Sequence, residues 1–406
     1  MPSKELKNNN ITDTTNAKPT SMNPVASTHV VAADSVQAEE VPTIPLGSLQ
    51  TINSLQPEVS VHSVASTRTV GVPVPLVVQP SEYRRSLGEW FQVWWDSIRP
   101  AYLSLSLIPL IVGSILAWTQ TISAKTPLGH FHTNHFIGML LAIVLLQIGA
   151  HLVNDYYDYV HGVDTSNTLG PGGLIQQGLI SPTRVLTFGL TALGLGAAIG
   201  IVVALAGGPL VYLLGLIGLL CAYFYSATSR SLSSLALGEV VSFFIFGPFI
   251  TLGAYLVMIQ TGHIDRSVFV YSIPLGLLAM AAIHANNMRD IEGDAHAGRS
   301  TLASILGMRW SRFLFITLLL VAYLIITALA IPRGAPHILL LIWWTLPILA
   351  VVITGVARSA TPVGLHLVMR QTLKLETYFA LLLVVALAVS ALLPVLPHLP
   401  THLLPF

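Results

Sequence analysis

Nine apolar segments, each close to the roughly 20 residues that cross a bilayer as a helix, follow one another between residues 101 and 395 with short polar joints between them. They run over 101–119, 134–157, 184–206, 209–226, 238–260, 267–288, 311–331, 337–356 and 375–395. Backbone polar groups in hydrocarbon have no water to pair with, so each segment must satisfy its own hydrogen bonds as a helix. The expected fold is therefore all-α, a polytopic membrane protein of about nine transmembrane helices. Composition points the same way: 53% of residues are hydrophobic and only 9% are charged, which excludes an ordinary soluble enzyme. A net charge of +1 on scattered basic residues offers no surface for nucleic acid. The single cysteine, Cys221, excludes an internal disulfide and a Cys-based zinc site, and in its apolar run it reads as a packing residue.

Three regions are expected. Residues 1–85, rich in Ser, Thr, Asn, Pro and Val, have no apolar stretch long enough to build a core and read as a disordered polar tail. Residues 86–99, with Trp90, Phe91, Trp94 and Trp95 beside Asp96, read as an interfacial amphipathic segment, and 100–406 as the membrane domain. With the N-terminus inside, Arg84, Arg85, Arg99, Arg184, Arg230, Arg289, Arg299, Arg309, Arg312, Arg358, Arg370 and Lys374 fall on the cytoplasmic side, against Lys125, Arg266 and Arg333 outside. Twelve against three sets the orientation by the positive-inside rule, and places the joints after the second, fourth, sixth and eighth spans in the cytoplasm.

The acidic residues are the informative minority, because an ionised carboxylate within a span costs on the order of 3 kcal/mol. Only nine follow Pro100, and six of them form two clusters. Asp155, Asp158 and Asp164 end the second span, and Asp290, Glu292 and Asp294 end the sixth. Asn154 and Asp158 are four residues apart, on one helical face, and Gly162 can break the helix so that Asp164 folds back. Asp290 and Asp294 repeat that spacing, with Asn286 one turn earlier. Hard oxygen ligands without cysteine suit Mg²⁺, which favours one or two carboxylates, substrate phosphate oxygens and retained waters. Arg289, Arg299 and Arg230 beside them are suited to the oxygens of a diphosphate. Two carboxylate sets opening on one side of a lipid-lined chamber imply a diphosphate with an apolar tail.

The stretches Asn154-Asp-Tyr-Tyr-Asp158 and Asn287-Met-Arg289-Asp290-Ile-Glu-Gly-Asp294 resemble the two Asp-rich motifs of the UbiA superfamily of intramembrane prenyltransferases. The resemblance covers roughly residues 95–396. Further stretches are similar to the branch of the family that prenylates 1,4-dihydroxy-2-naphthoate on the way to menaquinone: Arg99-Pro100, the Asp158-x5-Asp164 spacing, Gly170-Pro171, Leu237-Gly238-Glu239, Phe246-Gly247-Pro248 and Gly298-Arg299-x-Thr301. The resemblance implies a UbiA-like helical bundle around a central cavity, integral to a bacterial cell membrane. It implies transfer of a polyprenyl group from polyprenyl diphosphate to 1,4-dihydroxy-2-naphthoate, with Mg²⁺ held by Asp158, Asp164, Asp290 and Asp294 and assisted by Asn154. Arg289, Arg299, Arg230 and Asn287 are then expected on the diphosphate. Tyr156 and Tyr157 are expected to stabilise an allylic cation through their ring faces, and Tyr225 and Glu239 to serve the acceptor side.

The chain departs from the family in two places. Pro171-Gly172-Gly173-Leu174 stands where many naphthoate enzymes carry an arginine, and Tyr225-Ser-Ala-Thr-Ser-Arg230 replaces a Tyr-x3-Lys pattern. Other readings stay open at this stage: Glu239 complementing a helix dipole, the tyrosines as an interfacial belt, a metal site using His151 and His161, another aromatic acceptor such as 4-hydroxybenzoate or homogentisate, or an ion-coupled transporter using the same carboxylates.

Overall fold

The computed structural model describes residues 86–122, 129–162, 175–228, 230–332 and 336–395. Asp164 and residues 170–174 lie outside the described residues, as does the expected tail. The described part is helical almost throughout. Helix α1, Leu87–Ile98, opens with a capping box in which the Ser86 amide donates to Glu89 Oε2 at 2.7 Å and the Glu89 amide donates to Ser86 Oγ at 3.3 Å. It ends where Arg99 turns left-handed, φ 56°, immediately before Pro100.

Each of the nine expected segments is realised as a helix. They are α2 (Ser104–Thr121), α3 (Thr133–Val160), α4 (Pro182–Gly207), α5 (Pro209–Phe224), the composite of α6 (Gly238–Phe244) and α7 (Ile250–Ile259), α8 (Arg266–Arg289), α10 (Leu302–Ala330), α11 (Leu346–Arg358) and α12 (Pro362–Leu392). A short α9, Ile291–His296, follows α8, and a 3₁₀ segment, His337–Thr345, leads into α11. Among the described residues eight stretches are long and apolar enough to cross a membrane, α11 counted with its 3₁₀ lead-in as His337–Arg358, and α5, at 16 residues, is shorter. The chain is an integral membrane protein.

Local chemistry explains the breaks. Gly208 adopts φ 81° and Pro209 starts the next helix, giving the tight α4–α5 hairpin. Between α6 and α7, Pro248 has no N–H to give, and the helix passes through a π-turn at Ile245–Phe249. Two boundaries differ from expectation. The seventh span starts at Leu302 rather than 311, because a Thr301–Ser304 capping box begins a helical turn before Gly307, at φ 69°, kinks it. The ninth starts at Pro362 rather than 375: its first turns carry His366 and Arg370, polar side chains that hide the helix from an apolar count.

The core is centred on α8, whose Leu275, Leu278, Ala279, Ala282 and Ala285 are fully buried among α6, α10 and α12. Helices α2 and α7 approach so closely that a Cβ on Gly113 would lie 2.2 Å from the Thr251 carbonyl oxygen, so only glycine allows the contact. A second small cluster, Leu152, Ile175, Ile180 and Val185, receives Trp90, Val93 and Trp94 from α1. On the motif-bearing side the loop after α5 and the loop after α9 are tied together: the Ala236 amide donates to the Ser300 carbonyl at 2.9 Å, and the Ser300 amide to the Ser234 carbonyl at 3.3 Å. This bridge holds the second-motif loop over the head of the bundle.

Candidate active site

Helices α2 to α8 enclose a cavity of about 610 Å³. Its depth is apolar, with Met139, Ala142, Ile143, Val203, Leu216 and Val257 in the wall. Its head is polar: Asn154 and Asp158 from α3, Asn286 and Asp290 from the end of α8, Asp294 from α9, and Arg299 from the loop beyond. The two motifs, more than 120 residues apart in sequence, meet there because α3 and α8 both end at that side.

Arg299 stands between them. Its Nη1 lies 3.7 Å from Asp158 Oδ1 and its Nε 3.9 Å from Asp294 Oδ1. Burial opposes its charge, but Asp158 and Asp294 outweigh that and hold it protonated more firmly than usual. Arg299 Nε is buried and makes no hydrogen bond, a donor that suits an incoming anion. Asp294 is almost fully buried, and desolvation, opposed in part by Arg299, pushes its carboxyl up to about 7. On α3, Asn154 Nδ2 donates to Asp158 Oδ2, the expected i, i+4 pair.

Arg289 is buried and clamps Asp290 with two bonds, Nε to Oδ1 at 2.7 Å and Nη2 to Oδ2 at 2.6 Å. The same guanidinium donates to Asn286 Oδ1 at 3.0 Å and meets His366 Nδ1 at 3.1 Å. Tyr102 O–H also donates to Asn286 Oδ1, at 3.3 Å. Opposite them Arg99 is ion-paired with the buried Asp155.

Several expected site residues fall elsewhere. Tyr156 and Tyr157 do not line the cavity, because α3 turns both side chains to other neighbours. Tyr156 packs beside the Leu152 cluster, and Tyr157 O–H lies 3.4 Å from Tyr223 O–H. Tyr225 does line the cavity, and Gly238 makes room for its hydroxyl. Arg230 is exposed and away from the cavity. Glu239 is fully buried behind Asn287, which reaches the cavity wall. His151 lines the cavity against Tyr102, whereas His161 is exposed beside Tyr157. Sequence reasoning left out Arg99, Tyr102, Asn286 and His366 as site residues. The one available signal was the Asn286-x3-Asp290 spacing, which copies Asn154-x3-Asp158.

The model of the UbiA prenyltransferase family matches residues 106–363. The chain belongs to the UbiA prenyltransferase family. Among its relatives, 1,4-dihydroxy-2-naphthoate octaprenyltransferase of Bacillus subtilis (strain 168) is 28% identical over 312 residues, covering 77% of this chain and 96% of the relative. The Haemophilus influenzae enzyme of the same name is 31% identical over 274 residues, covering 66% and 86%. In fold the chain is similar to a UbiA homolog from Archaeoglobus fulgidus, solved bound to DMAPP and Mg²⁺, with a TM-score of 0.50 at 16% identity over 73% of this chain and 99% of that one.

The residues at the head of the cavity fit a divalent cation that is completed by its substrate. Among the described residues no three of His, Cys, Asp and Glu gather tightly enough to hold a metal alone. Instead carboxylates of both motifs come within 4 Å of one guanidinium, so their charges already converge on a single cationic position. An oxygen-only donor set that leaves places open for phosphate oxygens and water is the kind Mg²⁺ takes.

Proposed function

We propose that this chain transfers a polyprenyl group from a polyprenyl diphosphate to 1,4-dihydroxy-2-naphthoate, giving the reduced, quinol form of demethylmenaquinone. The observation that carries the reading is the shape of the cavity, a head of paired carboxylates and arginines set on an apolar shaft. Such a chamber suits a molecule with an anionic head and a hydrocarbon tail. The naphthoate acceptor is supported by the Bacillus and Haemophilus relatives, whose names specify it, and Mg²⁺ by the Archaeoglobus structure.

Asp158, Asp290 and Asp294, with Asp164, would hold Mg²⁺, which neutralises charge as the diphosphate leaves. Arg289 and Arg299, now occupied by Asp290, Asp158 and Asp294, turn part of their donor set to the non-bridging oxygens. Asn154 keeps Asp158 in place through its side-chain bond. The apolar wall keeps water from the allylic cation once the C–O bond breaks, and Tyr225, Phe246 and Phe249 offer ring faces to it. The electron-rich ring supplies the electron pair for the new C–C bond and loses its carboxylate as carbon dioxide. The N-terminus and the motif loops lie on the cytoplasmic side of a bacterial membrane, where water-soluble diphosphate can leave.

The test is a competition. Purified protein given Mg²⁺, a polyprenyl diphosphate and equal amounts of 1,4-dihydroxy-2-naphthoate, 4-hydroxybenzoate and homogentisate should form the naphthoate product far faster than either other. A pocket shaped for two fused rings leaves a void around one. Prenylation of 4-hydroxybenzoate with none of the naphthoate would overturn the acceptor assignment.

A further inference from the structure

Behind the cavity wall sits a polar network that the reaction scheme above does not use. Glu239, in the first turn of α6, and His284, on α8, are both fully buried in an otherwise apolar helix interface. His284 Nδ1 lies 3.1 Å from Glu239 Oε1. The same oxygen accepts Asn287 Nδ2 at 2.9 Å. Glu239 Oε2 and His284 Nε2 are buried without a hydrogen-bond partner. Burying a carboxylate and an imidazole here is costly, and the one network member that reaches the cavity is Asn287.

The pairing fixes the orientation of the Asn287 amide. An ionised carboxylate only accepts, so the amide group turned toward Glu239 is NH₂, and His284 presents Nδ1–H to the same oxygen. The end of Asn287 left for the cavity is its carbonyl oxygen, which repels phosphate oxygens. Asn287 also precedes Asp290 by three residues, about 4.5 Å along the helix axis. It lines the cavity one residue after Asn286, and Ser242 and Tyr225 belong to the same wall. An ionised diphosphate has no hydrogen to donate to that oxygen, whereas a hydroxyl on the attacking ring has one.

We propose that His284 and Glu239 form a buried relay locking Asn287 with its amide oxygen toward the cavity, where it accepts a hydrogen bond from a ring hydroxyl of the aromatic co-substrate. This rests on the prenyltransferase reading above and moves Asn287 from the diphosphate to the acceptor. The bond draws the hydroxyl proton toward Asn287, so that the ring oxygen releases electron density into the ring, and it orients the ring over the allylic carbon. Asn287 touches substrate; Glu239 and His284 are positioning residues.

The test separates the two KM values in the purified full-length protein. Asn287→Ala and Glu239→Leu should each raise KM for 1,4-dihydroxy-2-naphthoate about tenfold, the loss of one hydrogen bond, while KM for polyprenyl diphosphate moves less than twofold. Glu239→Gln keeps the accepting oxygen and should bring the acceptor KM back to within threefold of wild type. His284→Asn, which retains a donor, should outperform His284→Leu. Equilibrium binding of the naphthoate to each variant, measured without Mg²⁺ or prenyl diphosphate, should weaken in parallel. A rise in KM for prenyl diphosphate or Mg²⁺ would return Asn287 to the leaving group and overturn the proposal. A fall in kcat with both KM values unchanged would overturn it too, as would wild-type kinetics in Asn287→Ala. If Glu239→Leu fails to fold, Asn287→Ala, at the cavity wall, decides alone. Wild-type protein that prenylates no aromatic acid would sink the function itself rather than this relay.

Discussion

Asp158 and Asp290 are the residues whose loss should be felt most. Exchanging either for Asn keeps the volume and removes one negative charge that the head of the cavity turns toward a cation. Turnover should fall by at least a hundredfold in each variant, with insertion and yield unchanged, as measured by diphosphate release from purified protein; near-normal turnover would remove both from the cation site. Much of this was legible at the level of residues. The i, i+4 rule placed Asn154 against Asp158, and the scarcity of acids after Pro100 singled out both clusters. The rotation of α3 about its own axis was not legible, and so Tyr156 and Tyr157, adjacent to the motif in sequence, were expected at a cavity from which the helix turns them away. Nor did sequence show that Arg230 points outward while Arg99, at the start of the bundle, meets Asp155. Those pairings depend on which helix lies opposite, information that spacing along one helix does not contain.

The site is held by ends and crossings of helices. Asp265 caps α8, accepting the Ser267 amide at 2.8 Å. Ser267, through its side chain first and its amide second, holds that carboxyl below the usual range, so the cap is present at neutral pH and fades only as pH falls through the lowered value. Asp265→Ala should cost about 1 kcal/mol, read as a lower Tm in detergent at pH 7, with the difference from wild type shrinking toward pH 3. At the α2–α7 crossing, Gly113→Val puts a branched side chain where the Thr251 carbonyl already leaves no room for a Cβ. It should destabilise by roughly 1–3 kcal/mol or more and lower the yield of folded protein; a normal Tm would show that the helices can separate at no cost. Among the described residues, apolar length alone located each of the long apolar helices. It missed the true starts of α10 and α12 because helical structure continues into polar turns, through the Gly307 kink in one case and past His366 in the other.

For the whole molecule, composition alone gives the expectation of a membrane domain preceded by a polar tail over residues 1–85. With no apolar face on those residues, a variant lacking residues 1–80 should retain most of its activity in membranes; loss of activity at equal expression would give the tail a docking or catalytic role. The convergence of the two motifs was anticipated because spans two and six run in the same direction. The loop bridge at Ser300 that brings Arg299 between them was not, since it rests on backbone hydrogen bonds that any residue can make. The central claim is that this polar head ionises a diphosphate and the shaft below guides the resulting group onto an aromatic ring. It is tested most directly by following both products at once, in purified full-length protein given polyprenyl diphosphate and 1,4-dihydroxy-2-naphthoate. The account predicts one diphosphate released for each prenylated ring formed, with both stopped by EDTA and restored by Mg²⁺. Diphosphate release without a prenylated ring, or prenylation that persists in EDTA, would contradict it.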